Sequence, residues 1–379
     1  MEKINVRSPY YIRQTVVSKD YLKCELWIYT GTSVTDRGAV KYTLTNRTPN
    51  DGFSVFEISE LIRDYLVVEF DGTYTSQMVW TDYRFTTGTD SGGDDAAGSI
   101  FVGESYDGFG YFHEGRQSTL FTLNEQDLLQ SNTVVYKPKN NSIRIPVSLN
   151  GAYDVYFSYK GNPIYSYPIG NQLTSSTRIG YLSDYWGVDV DSYKERVQLS
   201  SGTYESSSCL DDFLGMFDLT PIDRVVLANA SGVETVIDVK SIGECRYTPI
   251  KATFVNKFGV LQDLWFFKNY STSISTKGTE YKANLVNTGS YTPTKHQEAS
   301  LGINGSEKIT LNSGYYPEEY NEIFKQLFLS EKIWLEIDGI TFPALISGKN
   351  VKFKTQLTDK LIEYAINFEF SNEIINNIR

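Results

Sequence analysis

Between Tyr21 and Tyr29 the side chains alternate strictly. Leu22, Cys24, Leu26 and Ile28 fall on one side, and Tyr21, Lys23, Glu25, Trp27 and Tyr29 on the other. A period of two is that of a strand with two unlike faces. The aromatic rings of Trp27 and Tyr29 share the face of Glu25, so both faces are expected to be partly covered. Thr30-Gly31-Thr32 closes the run with turn chemistry, and Val40 to Leu44 reads as the return strand.

The same grammar recurs along the chain. Strand character is expected at Val67–Phe70, Gln77–Phe85, Thr133–Tyr136, Ser142–Val147, Ala152–Tyr159, Ile164–Tyr167, Arg178–Leu182 and Glu195–Leu199. It is expected again at Arg224–Ala228, Glu234–Val239, Arg246–Pro249, Ala252–Val255, Leu261–Lys268, Glu307–Leu311, Lys332–Ile337, Ile340–Ile346, Lys352–Leu357 and Leu361–Phe370. Lys160-Gly161-Asn162-Pro163 and Asn256-Lys257-Phe258-Gly259 each sit between two such runs and read as hairpin turns. Leu264, Trp265, Phe266 and Phe267 give the strand after the second turn bulk on both faces, so that pair is expected to be buried.

Two segments carry a helical period instead. Ile58, Leu61, Ile62, Tyr65 and Leu66 share one helical face, so the spacing predicts a short helix over about 56–66, with Ser54 or Ser59 as its cap. Tyr320, Ile323, Phe324, Leu327 and Phe328 do the same behind Pro317, Glu318 and Glu319, which suit a first turn. A helix is expected over about 317–330, its stripe packed on the sheet of the last domain. A one-turn helix is also expected after Asn124.

The expected fold is therefore mainly β, with several β-sandwich-like domains in tandem and a few short helices. At 379 residues, a span of about 150 per domain gives two or three domains. Thr86 to Ser99, rich in Gly, Asp and Thr, reads as a loop or linker. The expected division is an N-terminal sandwich over 1–87, a connecting aromatic and Gly-rich segment over 88–144, a second sandwich over 145–250, and a C-terminal β domain with the amphipathic helix over 251–379.

Charge and rare residues narrow the function. Lys and Arg number 35 against 46 Asp and Glu, a formal net charge of −11. That is the wrong sign for displacing phosphate counterions or docking on an anionic membrane, so no sequence-specific nucleic-acid binding and no membrane partner are expected. No run of apolar residues approaches 18 and no signal-peptide core opens the chain, so a soluble protein made in a cytoplasm is expected. The only two His, His113 and His296, are far apart in sequence, which removes a His-rich metal site and limits any His-dependent nucleophile. Cys24, Cys209 and Cys245 form no CxxC pattern and cannot all pair; each is expected to be a small buried thiol. No Walker, Rossmann or kinase signature is present, and the glycines of Tyr106-Asp107-Gly108-Phe109-Gly110-Tyr111-Phe112 match no phosphate cradle.

The remaining candidates are carboxylates and aromatics. Asp90, Asp94 and Asp95 lie in one acidic loop, and Asp189, Asp191 and Glu195 in another segment. Either could share a cation, but neither has the ligand spacing of an EF-hand, and a solvated acidic surface is the plainer reading. A glycosidase needs only two convergent carboxyls, about 5–9.5 Å apart. Sequence singles out no such pair among 46 acids. Tyr106, Phe109, Tyr111 and Phe112, and Tyr181, Tyr185 and Trp186, form two aromatic clusters. They suit a protein interface, a sugar-stacking platform or a β-sheet core.

INVRSPYYIRQT, with YLKCELWIYTGT and FEISELIRDYL, resembles the N-terminal sandwich of structural proteins of tailed bacteriophages that infect Bacteroidota. KATFVNKFGVLQDLWFFK resembles a motif that recurs in them. ITLNSGYYPEEYNEIFKQLFLSEKIWLEIDG and KTQLTDKLIEYAINFEFSNEIINNIR resemble their C-terminal region. The resemblance leaves 88–250 unmatched and contains no catalytic motif. It implies a non-enzymatic virion component of the tail, as hub, adaptor or distal part, assembled in the host cytoplasm. It implies other tail proteins as partners, a cyclic homo-oligomer, and no cofactor. The alternatives are a carbohydrate-binding adhesin or receptor-binding module of the tail and, behind it, a glycosidase that degrades host polysaccharide.

Overall fold

The alternating segment is the strand Tyr21–Tyr29, and both of its faces are covered. Leu22, Cys24, Leu26 and Ile28 are buried on one side, Trp27 and Tyr29 on the other. The strand lies between Val79–Thr89 and Tyr42–Arg47, antiparallel to each. Ile100–Tyr106 pairs with the other side of Val79–Thr89, and Glu2–Asn5 completes the sheet in parallel with Ile100–Tyr106. The computed structural model describes residues 2–31, 36–47, 52–75, 78–114, 128–139, 141, 143–148, 153–159, 162–169, 179–182, 222–229, 234–286, 289–348, 351–353 and 360–376. Within them the protein is mainly β, with several sandwich-like sheets in tandem.

Two compact units share the chain. The first holds Met1–Gly243, Thr253–Leu264 and Glu322–Ser330; the second holds Glu244–Ala252, Trp265–Asn321 and Glu331–Arg379.

In the first unit a small sheet of Tyr11–Thr15 with Phe53–Glu57 supplies Ile12 and Phe56, directly opposite each other, to the core under Leu22, Cys24, Leu26 and Ile28. Burying large apolar side chains contributes about 1.5–3 kcal/mol each, so this face drives the packing of the N-terminal segment. A second sheet runs in the order Asn162–Ile169, Tyr153–Tyr159, Arg224–Asn229, Glu234–Ile242, Val134–Pro138. Ile145–Ser148 pairs separately with Ile179–Leu182. Val155, Val225, Leu227, Ile237 and Val239 meet Ile143, Ile145 and Val147 in its core. Tyr153–Tyr159 and Asn162–Ile169 pair antiparallel, with Asn162 and Pro163, expected in the turn, already in the second strand.

In the second unit Ile333–Ile337 and Ile340–Ile346 form a hairpin. Ala365–Glu373 pairs with Ile340–Ile346, Glu298–Asn312 with Ala365–Glu373, and Tyr270–Lys282 with Glu298–Asn312 at the end of the sheet. Ile309, Leu311, Ile366 and Phe368 are buried there. The ring of Tyr316 tilts against those of Phe267 and Tyr320.

Several expected elements differ from those observed. Thr86–Thr89 belong to the strand Val79–Thr89, and Gly93–Asp94 folds back on its end, so part of the expected linker is a paired hairpin. The helix expected at 56–66 is confined to Ser59–Arg63, because Phe56 and Glu57 are held in the strand opposite Tyr11 and Ile12. Its first turn is served by Glu57, whose carboxylate takes the Ser59 backbone N–H at 2.9 Å, and not by a Ser cap. The helix expected at 317–330 is α-helical over Asn321–Leu329, after an extended Pro317 and a 3-10 turn at Glu318–Tyr320. Its residues from Glu322 onward belong to the first unit. Val67–Phe70 and Arg246–Pro249 form no strand, although Val68 and Phe70 are buried. Tyr270–Lys282 was not expected as a strand. The expected elements at 195–199 and just after Asn124 lie outside the described residues, as does most of the one at Lys352–Leu357.

Candidate functional site

The aromatic segment that follows Ile100–Tyr106 is built against the turn of the hairpin Ile250–Val255/Leu261–Phe266. The Phe109 N–H donates to the Lys257 carbonyl at 2.9 Å, and the Arg7 N–H donates to the Gly108 carbonyl at 3.0 Å. Such close backbone approach requires residues without a Cβ. A Cβ on Gly108 would lie 2.8 Å from the Lys257 carbonyl oxygen, and one on Gly259, where φ is +76°, would lie 2.6 Å from the Gly108 nitrogen. The two glycines therefore let turn and segment interlock.

Asn256 organises the turn from within. Its Oδ1 accepts the Phe258 N–H at 2.9 Å and the Val260 N–H at 3.3 Å. Its Nδ2 donates to the Leu129 carbonyl at 2.8 Å and to Gln262 Oε1 at 2.9 Å. Asn256 is fully buried, and these bonds offset the cost of removing a carboxamide from water. Gln326, also fully buried on the helix Asn321–Leu329, accepts the Lys257 N–H at 3.2 Å and donates to Ser131 Oγ at 2.7 Å.

Tyr111 is the hub of the polar side. Lys325 Nζ lies 3.5 Å and Lys257 Nζ 4.4 Å from its ring centroid, and the His113 ring stacks on it at 5.5 Å. Its hydroxyl donates to Glu322 Oε1 at 2.6 Å, while Lys257 forms an ion pair with Glu114. Burial, and then the Glu322 carboxylate, push the Tyr111 hydroxyl well above its ordinary pKa, so it stays a donor. Cation–π contacts of this kind contribute about 0.5–2 kcal/mol each. Chemically the arrangement is a clamp whose polar groups are engaged by one another.

A second polar knot lies at the stem of the same hairpin. The Tyr74 hydroxyl sits 2.7 Å from both carboxylate oxygens of Asp263, and Thr253 Oγ1 donates to Asp263 Oδ1 at 2.7 Å. Tyr181 tilts against Tyr74, its ring centroid 5.1 Å away, and its hydroxyl accepts the Leu261 N–H at 3.1 Å.

The fate of the seven interface aromatics is thus mixed. Tyr106 is buried with Leu129, Phe258 and Val260, and its hydroxyl donates to Glu104 at 2.6 Å. Phe109 is buried under the Arg7 guanidinium, 4.9 Å from its ring. Tyr111 and Tyr181 are half-buried and engaged as above. Phe112 is fully exposed. Tyr106 and Phe109 are both buried, the core alternative of the three, with Phe258 and Val260 of the turn packed against Tyr106. Tyr185 and Trp186 lie outside the described residues. Sequence reasoning missed Asn256, Lys257, Gln326 and Lys325; a buried Gln in the apolar stripe of a helix was the one available signal.

The acidic loop is occupied by the chain's own cations. Asp94 accepts Lys23 Nζ at 2.6 Å and the Tyr21 hydroxyl at 2.8 Å, Asp95 accepts Lys19 Nζ at 2.7 Å, and Asp90 pairs with Arg47. Lys23 and Lys19 hold the Asp94 and Asp95 carboxyls below the usual range. Asp189, Asp191, Glu195 and Cys209 lie outside the described residues. Cys24 is buried, and desolvation pushes its thiol up to about 12. Cys245 is exposed, contrary to expectation, because Arg246–Pro249 beside it joins no sheet.

No helix among the described residues is long and apolar enough to cross a membrane. No protein-family model matches the chain, and no curated protein does. Among solved structures, the crystal structure of CBD12 from CALX1.2 aligns with 48% of this chain and 73% of its own, at 10% identity and a TM-score of 0.17.

Proposed function

We propose that this chain is a non-enzymatic structural component of a phage tail, a hub, adaptor or distal part. In this reading it assembles with its own copies into a ring and with other tail proteins. The observation that carries the reading is the convergence of the phage-like stretches. Residues 4–15 and 251–268 are far in sequence from 309–339, yet each bonds directly to it. Arg7 Nη2 donates to the Leu329 carbonyl at 2.7 Å, Lys257 N–H to Gln326 at 3.2 Å, and Val255 N–H to Ser330 Oγ at 3.2 Å. The shared stretches thus meet within the first unit, and these bonds use their polar groups internally. That suits a scaffold that holds surfaces in place better than a cleft that receives a substrate.

The test is mass photometry and negative-stain imaging of the purified chain. Rings of defined copy number are expected. A strictly monomeric protein that binds glycans on an array would overturn the reading in favour of the adhesin alternative. Release of reducing sugar from host polysaccharide would overturn it in favour of the glycosidase.

A further inference from the structure

The strand Tyr270–Lys282 is exposed along all thirteen of its residues. It ends its sheet, and among the described residues it pairs only with Glu298–Asn312. An end strand turns the N–H and C=O of alternate residues outward, as a template for another strand. Folded proteins blunt such edges with Pro, charge, bulges or shortness. The far half of this strand has two of these devices: a register shift at Gly278, and Lys277, Glu280 and Lys282. The near half, Tyr270 to Thr276, has no charge, no Pro and no register shift. Its sequence, YSTSIST, is rich in β-formers.

An apolar strip accompanies this edge. Ile274, Ile303 and Ile374 are 65%, 50% and 49% exposed. A Cβ on Gly305 would lie 3.5 Å from Ile274 Cγ2 and 3.3 Å from Ile374 Cδ1, so those two isoleucines flank it on one face. A Cβ on Gly278 would meet Ile303 at 3.0 Å. Branched apolar side chains grouped on an open sheet face mark an interaction surface.

We propose that Tyr270–Thr276 is an assembly edge that pairs, antiparallel, with the same edge of a second copy of this chain. Charge selects that occupant. The two strands of the arm carry three Lys and three Glu, no net charge, on a chain of net −11. Copies that repel elsewhere can approach here, whereas a basic partner would be drawn to the acidic remainder. A two-fold pairing centred on Ser273 sets Tyr270 opposite Thr276 and Thr272 opposite Ile274, with no charge opposed. This deepens the assembly reading above and rests on it for self-association. The contact is isologous, and so separate from the heterologous contacts that close a ring.

The test compares the full chain with Thr272→Pro, Ser273→Pro and Ile274→Lys, each made singly, by concentration-dependent mass photometry and hydrogen exchange. Inward and outward N–H groups alternate along the strand. One of the two Pro variants therefore leaves the internal ladder intact, and is identified by wild-type circular dichroism and melting. The expected result is wild-type self-association with slowed exchange over 270–276. The intact Pro variant and Ile274→Lys are expected to weaken it at least tenfold. If those folded variants associate as the wild type does, the edge is not the contact, while the assembly reading stands. If the wild-type chain stays monomeric at every concentration, or pairs through this edge only with another protein, the proposal falls. In that case self-association drops out of the assembly reading too.

Discussion

Gly259 and Gly108 meet backbone to backbone, with room for no side chain on either. Gly259 also holds a left-handed φ of +76°. Gly93 shares that conformation, at φ +73°, but a Cβ there would meet nothing within 4 Å. The pair separates backbone strain from steric conflict within one unit. Gly93→Ala is expected to cost about 1–2 kcal/mol, the penalty of a left-handed L residue. Gly259→Ala adds a collision with the Gly108 and Asp107 backbone and is expected to cost at least about 2 kcal/mol more. Urea denaturation of the two variants checks this; equal costs would mean the turn yields freely.

Asp94 and Asp82 stand on one sheet and shift in opposite directions. The Lys23 and Tyr21 hydrogen bonds hold the Asp94 carboxyl below its ordinary 3.8. Its stabilisation is present above that value and lost as pH falls through the folded-state pKa. Burial holds Asp82 above 3.8, against the opposing pull of Arg37. Its contribution is present below the ordinary value and lost as pH rises through the folded-state pKa. Between about pH 7 and about pH 3, the cost of Asp94→Asn should therefore shrink, while that of Asp82→Asn should grow. Unfolding free energies across that range decide it, and parallel profiles would contradict it.

The Tyr111 ring and Lys325 Nζ, 3.5 Å apart, should be energetically coupled. A double-mutant cycle with Tyr111→Leu and Lys325→Met is expected to return a coupling of about 1 kcal/mol. Tyr111→Phe keeps the ring and loses only the bond to Glu322, so its coupling to Lys325 should persist. A zero coupling in both cycles would reduce the clamp to adjacency.

The two described cysteines should react very differently. Cys24 combines burial with a thiol pushed up to about 12, while Cys245 is exposed. Native-state alkylation followed by peptide mapping is expected to modify Cys245 within minutes and to leave Cys24 intact until the chain is denatured. Equal labelling in the native state would mean the first sheet opens readily.

What was legible beforehand is the strand period and the faces it implies. Leu22, Cys24, Leu26 and Ile28 are buried together because a two-residue repeat leaves a strand one apolar face, whatever its neighbours. Ile340–Ile346 has the bounds that its sequence predicts. Tyr270–Lys282 was not recognised, because a strand exposed on both faces buries nothing and leaves no alternation to read. The ends of Asn321–Leu329 also escaped, since Pro317 is compatible with either an extended residue or a first helical position.

The sequence by itself determined that this chain is mainly β, acidic, rich in aromatics and poor in His. Those properties are sums over residues or repeats along a strand, and they need no partner. Only the tertiary structure decided which aromatics are core and which are surface. Tyr106 and Phe112 lie six residues apart and are chemically alike, yet one is buried and the other fully exposed. The difference comes from a turn some 150 residues downstream in the chain, where Asn256 and Gly259 shape a backbone that Gly108 can touch. Burial of an aromatic ring depends on what else arrives at that place, and no local pattern records it.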